Sequence, residues 1–374
     1  MEIAQFRWTP DAGWEVPPAS TRDANLVLAF SEAIYFRSPD CYRELRKLFP
    51  VAHIVGCSSS GSIYDTQITD AEIVVTAVSL KKGHLKLVSA EAVPGGDLQV
   101  LATSLMTRLE GPDLRHAFVL SDGLSVNGSD LARGLNSAGI SVTGGLAGDG
   151  ARFTSTWVMA DAPAAQNVVA IVGFYGELVA KCGCIAGWRE FGAERLVTRS
   201  SGNVVFEIDY KPALTIYTKY LGDMAKDLPG SGLRFPLSVR ATEQEEPVIR
   251  TLLAIDAEAQ SLTFAGDVPQ GGFCRLMRTD ADSLIDGSGA AADAAKSDAN
   301  GNPSLCLVVS CVGRRLVMGQ LTEEELDIVR ERLGPAPSIT GFYSYGELAP
   351  FANVEGCRLH NQTMTLTTVS EQDQ

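Results

Sequence analysis

Short apolar runs separated by polar punctuation set the rhythm of this chain, and the rhythm repeats. Asn25–Phe30 is an apolar run ending in Ser31; a helical pattern over Cys41–Phe49 follows, closed by Pro50; His53–Cys57 is a second run that leads into CSSSGSI. The order recurs with Ala117–Leu120 ending in Ser121-Asp122, a helix over Ser129–Ser137, and Ile140–Thr143 running into GGLAGD. It recurs again with Leu305–Val309 ending in Ser310, a helix over Thr322–Leu333, and Ser338–Thr340 running into GFYSYGE. Short apolar runs suit buried strands and the intervening period suits helices, so each copy predicts strand, helix, strand and glycine-rich turn. Such alternation specifies an α/β fold with a largely parallel or mixed sheet. A second similarity, GFYGELVAKCGC at 173–184 against GFYSYGEL…GC at 341–357, points to two related halves.

Between the copies lie β-rich stretches at Glu72–Ser79, Lys86–Ala92, Asn167–Gly173, Leu178–Gly183 and Asn203–Tyr210. Helix resumes at Pro212–Leu221, where proline suits a first turn. Turn residues then crowd Asp223–Leu233, so a domain boundary is expected near 215–230. Beyond it come strands at Val248–Ile255 and Ser261–Phe264, the turn-dense Gly266–Gly272, an alanine-rich helix around Ser283–Lys296 and the loop Ser297–Pro303. The predicted organisation is an irregular segment over 1–24, a first domain over 25–220, a second over 221–367 and a tail over 368–374. The fold class is α/β: two related domains with mixed sheets built from repeated strand-helix-strand units.

Composition narrows the function mainly by exclusion. The chain has 374 residues and a net charge of −14, and no lysine/arginine cluster interrupts it. Nucleic acid and anionic membrane are therefore not expected partners, because both need a basic face. Eight cysteines sit irregularly, mostly inside apolar runs, and read as reduced thiols. The start, MEIAQFRWTPDAGW, lacks the basic and apolar regions of a signal peptide. Val168–Ala186 is the most apolar segment but carries Glu177 and Lys181, and reads as buried strands. A soluble, cytoplasmic protein is expected.

Ligands of open α/β sheets sit beyond the carboxyl ends of the strands. Those ends carry Ser31, Ser121-Asp122, Ser310-Cys311, Cys57–Gly61, Gly144–Asp149 and Gly341–Glu347. The richest stretch is Gly341–Thr367, where Tyr343 and Tyr345 supply amphipathic walls and His360-Asn361 a titratable nitrogen and an amide. The turns holding Ser58, Ser59 and Gly61, and Gly145, offer backbone N–H groups to an anion, although neither is a Walker or dinucleotide motif. Asp149 suits either an ammonium or its own turn. Arg314 suits either a carboxylate clamp or a bridge between loops. His53, His84 and His116 read as ordinary core or surface histidines. Cys182 and Cys184 are too close for a zinc half-site without two further ligands, which nothing nearby offers, and read as packing on one strand face.

Several short motifs then fall in a familiar order: GCSSSG (Gly56–Gly61), SDG (Ser121–Gly123), GGLAGDG (Gly144–Gly150), GFYG (Gly173–Gly176), the GC-x-x-GW step at Gly183–Trp188, SC-x-GR (Ser310–Arg314), GFYSYGE and LHNQT. Over this span the chain resembles FIST proteins, with an N-terminal FIST domain and a FIST C domain. The resemblance implies an intracellular sensory module that binds a small molecule and reports to signalling partners. Amino acids are the ligand class first suggested for the family, and a stand-alone subset binds haem, senses nitric oxide and reports to a histidine kinase. Because no output domain is attached, haem-bound nitric oxide is the expected ligand, with His360 as the iron ligand. Thiolate ligation by Cys184, Cys311 or Cys357 is a lesser option. A free amino acid or similar small metabolite is the alternative. A second alternative is a hydrolase using Cys311 or Ser58–Ser60 with His360, oriented by Asp122 or Asp149, though no nucleophile elbow is present. Expected partners are the small molecule, a histidine kinase or other signalling protein, and a second copy in a homo-oligomer.

Overall fold

Pairing of these segments gives one strand arrangement three times over in the computed structural model, which describes residues 1–17, 21, 23–296, 304–350 and 356–372. The first unit contains β1 (Glu2–Thr9), β2 (Leu26–Ser31), helix α1 (Asp40–Leu48), β3 (His53–Ser58), the short β4 (Ser62–Tyr64) and β5 (Ile73–Ser79). Its sheet order is β3-β2-β5-β1, with β2 and β3 parallel and β5 antiparallel to both its neighbours. The second contains β6 (Gly83–Glu91), α2 (Leu98–Leu109), β7 (Leu114–Ser121), α3 (Gly128–Leu135), β8 (Ser141–Leu146), β9 (Val158–Ala160) and β10 (Val168–Gly176), ordered β8-β7-β10-β6. The third contains β11 (Leu178–Ile185), α4 (Ala281–Ala295), β12 (Ser304–Cys311), α5 (Glu324–Leu333), β13 (Pro337–Ser344), β14 (Gly346–Ala349), β15 (Arg358–His360) and β16 (Met364–Glu371), ordered β13-β12-β16-β11. The strand-helix-strand copies legible in the sequence are the parallel pairs at the heart of the three sheets.

The units exchange strands in a ring. After its glycine-rich turn the first unit sends β4 to β13 of the third, the second sends β9 to β3 of the first, and the third sends β14 to β8 of the second. Three backbone bonds repeat the pattern: Ser60 N–H to the Tyr343 carbonyl (2.8 Å), Gly148 to Ser58 (3.0 Å) and Tyr345 to Leu146 (3.0 Å). The inner sheet faces share one core, with Phe30, Val55, Leu120, Val172, Val309 and Phe342 drawn from all three units. Each outer face packs its own helices, through Leu45 on α1, Leu105 and Leu131 on α2 and α3, and Ala291 and Leu326 on α4 and α5. Strands covered on both faces have few polar positions, which explains the near-continuous apolar runs.

Close approach within each parallel pair falls on equivalent glycines. Gly56, Gly144 and Gly341 lie opposite Ala29, Val119 and Val308, where an added Cβ would stand 2.0, 2.0 and 1.8 Å from the partner carbonyl oxygen. The similarity between 173–184 and 341–357 therefore joins unequal places, a tight step from one unit's sheet to the next in one case and a strand handed to a neighbour in the other.

Between β11 and α4 a nine-stranded antiparallel sheet is inserted, spanning 189–278 with one helix at Ala213–Leu221. It has its own core of Val197, Tyr217, Leu262, Phe264 and Leu276. Two expectations change. The segment 1–24 is not irregular throughout, because Glu2–Thr9 pairs along β5 from Glu2↔Ser79 to Trp8↔Ile73, with Phe6 buried. Its polar alternate positions hid the strand. The strand β16 runs to Glu371, so 368–371 is sheet rather than tail. The loop Ser297–Pro303 lies outside the described residues. Among the described residues no helix is long and apolar enough to cross a membrane.

Candidate functional site

The inserted sheet meets the three-unit body along β15 and the turn after it. Arg250 Nη1 donates to the Leu359 carbonyl (3.0 Å), Arg358 Nη1 to Glu246 (3.2 Å), Gln362 Nε2 to Leu233 (3.2 Å), and Trp188 Nε1 to Gln362 (3.1 Å). The richest stretch in the sequence thus lies on the seam between the two bodies.

A cleft of about 510 Å³ opens at one end of this seam. Arg133 on α3 and Asn136 at its C-cap form one wall, Arg240, Arg250 and Asp267 of the inserted sheet form another, and Arg358 and Leu359 of β15 lie between. Three of the four guanidiniums are paired: Arg133 with Asp267 (3.3 Å), Arg240 with Glu194 (2.8 Å) and Arg358 with Glu245 (3.0 Å). Arg250 is the exception. It is 6% exposed, donates only to carbonyls of Asp267, Ile249 and Leu359, and has no carboxylate within 4.0 Å among the described residues. Its Nη2 lacks an acceptor there. Burial pulls its pKa down to about 10 against the opposing pull of Asp267. A buried charge without an ion-pair partner is costly, and an anion entering the cleft would relieve that cost.

The residues singled out in the sequence occupy other places. Ser58 and Ser59 sit in the first unit's turn, where the Ser58 hydroxyl accepts from Trp157 N–H (2.9 Å) and that of Ser59 pairs with Ser62 (2.9 Å). Gly61 packs against the Arg315 side chain, and Gly145 faces Val309 and Phe342 in the shared core. Asp122 caps its loop, accepting from Leu124 and Ser125 N–H, the Thr156 hydroxyl and Asn167 N–H at 2.8–3.0 Å. Asp149 accepts from Phe153, Thr154 and Ser155 N–H at 2.8–2.9 Å and from the Tyr345 hydroxyl. Burial acts to raise the pKa of Asp149, but these bonds outweigh it and the net shift is downward. Tyr345 is held between Asp149 and a stacked Phe153, ring centroids 4.6 Å apart.

Arg314 is closed inside the protein rather than open to a ligand. It and Glu325 are fully buried, joined at 2.8 Å, and Arg314 also donates to Ala186 (2.7 Å), Leu284 (2.8 Å) and Ser288 (2.7 Å). Ser310 (3.0 Å) and Tyr343 (2.6 Å) complete the Glu325 carboxylate. The network ties α4 and α5 to β12 and β13.

His360 is buried, its Nε2 lies 3.1 Å from the Ala349 carbonyl, and burial lowers its pKa to about 4. Bonded to that carbonyl, Nε2 is not available to an iron, and His360 is not among the residues lining the cleft. As placed, the residues around His360 do not fit a haem. The thiols of Cys184, Cys311 and Cys357 are pushed up in pKa by burial, which disfavours both ligation and attack. Asn361 is fully buried, and among the described residues neither its Oδ1 nor its Nδ2 has a partner, nor does Gln362 Oε1. Glu347, opposite His360 in the ladder, accepts from Ser344 Oγ (2.6 Å) and from Thr363 N–H (3.0 Å) and Oγ1 (2.8 Å). Burial raises its pKa to about 7.

Sequence reasoning missed Arg133, Arg250, Asp267 and Arg358. The available signal was Arg250 itself, a cation inside the apolar strand pattern VIRTLLAI.

Comparison with known proteins adds two matches along the chain. The profile of the FIST N domain matches residues 25–211, and that of the FIST C domain matches residues 213–350. No curated protein matches the chain. Among solved structures it is similar to a chorismatase, at 10% identity over 99% of this chain and 98% of that one, with a TM-score of 0.34. It is also similar to a cyanuric acid hydrolase from A. caulinodans, at 8% identity over 100% and 99%, with a TM-score of 0.37.

Proposed function

The chain belongs to the FIST family, whose domains are small-ligand sensors of signal transduction, and we propose that the cleft between α3 and the inserted sheet takes the ligand, with an anionic group on Arg250. The observation that carries this is the buried guanidinium with no carboxylate at ion-pair distance among the described residues, at the cleft wall. Glu245, Glu246 and Asp267 stand around the same space, so both signs of charge are on offer. A free amino acid, with its carboxylate on Arg250 and its ammonium toward a wall carboxylate, suits that pattern better than haem bound through His360. Ligand bridging the two bodies favours one seating of the inserted sheet over another, and a signalling partner such as a histidine kinase reads the difference.

The test is a thermal-shift screen of the amino acids, followed by titration of wild type, Arg250→Gln and Arg250→Lys. A subset of amino acids is expected to stabilise wild type, with affinity falling at least ~10-fold in Arg250→Gln, the size of one charge-assisted hydrogen bond. Binding indifferent to Arg250 sinks the cleft reading. A Soret band on adding haem that shifts with nitric oxide and is lost in His360→Ala returns the site to His360.

A further inference from the structure

Asp267 is bonded at this cleft through every polar group it has, and its N–H and carboxylate cross to the α3 wall. Its N–H donates to Ser129 Oγ (3.2 Å) and its carbonyl accepts from Arg250 Nε (3.0 Å). Oδ1 accepts from Asn127 Nδ2 at 3.4 Å, and Oδ2 from the two terminal nitrogens of Arg133 at 3.3 and 3.4 Å. Asn127 is the N-cap of α3, so the carboxylate faces the electropositive end of that helix. The side-chain contacts are the weak part of this set: all are long, and the Arg133 side chain is 51% exposed. The backbone of the loop is fixed to the inserted sheet instead, by Val268 N–H on the Gly202 carbonyl (3.0 Å) and Gly271 N–H on that of Val197 (2.8 Å). A loosely held carboxylate therefore stands on Arg133, beside a buried Arg250 whose Nη2 has no acceptor among the described residues.

We propose that Asp267 is a tethered stand-in for the ligand's anionic group, and that ligand entry displaces it from α3. This rests on the cleft being the ligand site. The incoming anion takes Arg133 and Arg250 Nη2, the Asp267 side chain swings away, and its loop stays with the inserted sheet. One domain–domain contact is exchanged for a ligand contact, so occupancy is coupled to how the inserted sheet sits on α3. The internal competitor also weakens the apparent affinity, as any partly populated closed state does.

The full chain would be titrated with L-glutamate and, separately, with inorganic phosphate, as wild type, Asp267→Asn, Arg250→Gln and Arg250→Lys. Amide hydrogen exchange across 127–136 would be followed in parallel. Asp267→Asn is expected to bind at least one probe ~10-fold more tightly than wild type, and its α3 amides to exchange without probe as fast as those of wild type with it. Unchanged or weaker binding by Asp267→Asn, with Arg250→Gln still losing it, overturns the stand-in and leaves the cleft. Binding equal to wild type in both Arg250 variants overturns the cleft and the stand-in together. Absence of binding by Asp267→Asn to either probe overturns the stand-in, since the place is then vacated and still not used.

Discussion

Glu347 and His360 face one another across the β14–β15 ladder, and burial acts on them in opposite senses. The Glu347 carboxyl is raised to about 7 by burial, against hydrogen bonds from Ser344 and Thr363. Between the unfolded value near 4.5 and that pKa the native state holds a proton the unfolded chain has lost, so stability falls as pH rises through this window. Urea unfolding at pH 5 and pH 8 should show wild type losing about 2 kcal/mol relative to Glu347→Gln. The buried imidazoles of His116 and His360, lowered to about 4, act at the other end. Their stability is present above the unfolded value near 6.5 and is lost as pH falls toward 4. Of these, His360 was visible in the sequence within a motif, LHNQT, but its environment was not. What makes Arg250 a site is burial with no carboxylate at ion-pair distance among the described residues, and that depends on chain segments more than a hundred residues away, as Leu359 shows.

At the scale of elements, the three parallel pairs were the most legible part of the chain, because doubly covered strands leave continuous apolar runs and close approach between paired strands selects glycine. The Gly341 Cβ position, 1.8 Å from the Val308 carbonyl oxygen, leaves no room for a methyl group without parting β12 from β13. Gly341→Ala is expected to destabilise by about 3 kcal/mol or more, read as a fall in the thermal midpoint. Gly139→Ala is the control. Its φ of +62° is strained for alanine, but nothing among the described residues lies within 4 Å, so about 1 kcal/mol is expected. Equal losses at the two sites would show that close approach is not what selects Gly341. The strand β1 escaped notice for the converse reason: only Phe6 of EIAQFRWT is buried, and a partly exposed edge strand carries little apolar signal.

For the whole molecule, sequence order concealed the architecture. Two family domains follow one another along the chain, while in space three strand-exchanging units surround one core and a fourth sheet is spliced into the third unit. That sheet has a core of its own and reaches the rest through β15, its turn and Asp267, so it is expected to open separately. Native-state hydrogen exchange should find Val205 and Leu262 protected by a smaller free energy than Val119 and Leu307, which pair within the units around the shared core. Equal protection would mean that the seam couples the two bodies into one cooperative block, leaving no room for a reseating signal.

The ring of exchanged strands also sets a timetable for synthesis. The partner of Tyr64 in β4 is Thr340 in β13, so the first unit emerges from the ribosome with a lent strand and no borrower. Roughly 280 residues separate the two, a wait of about 15–55 s at ~5–20 residues per second. Throughout that interval the nascent chain presents a bare sheet edge, and a slowed ribosome or a chaperone that shields Ser62–Tyr64 would change the yield of native protein without altering its final stability.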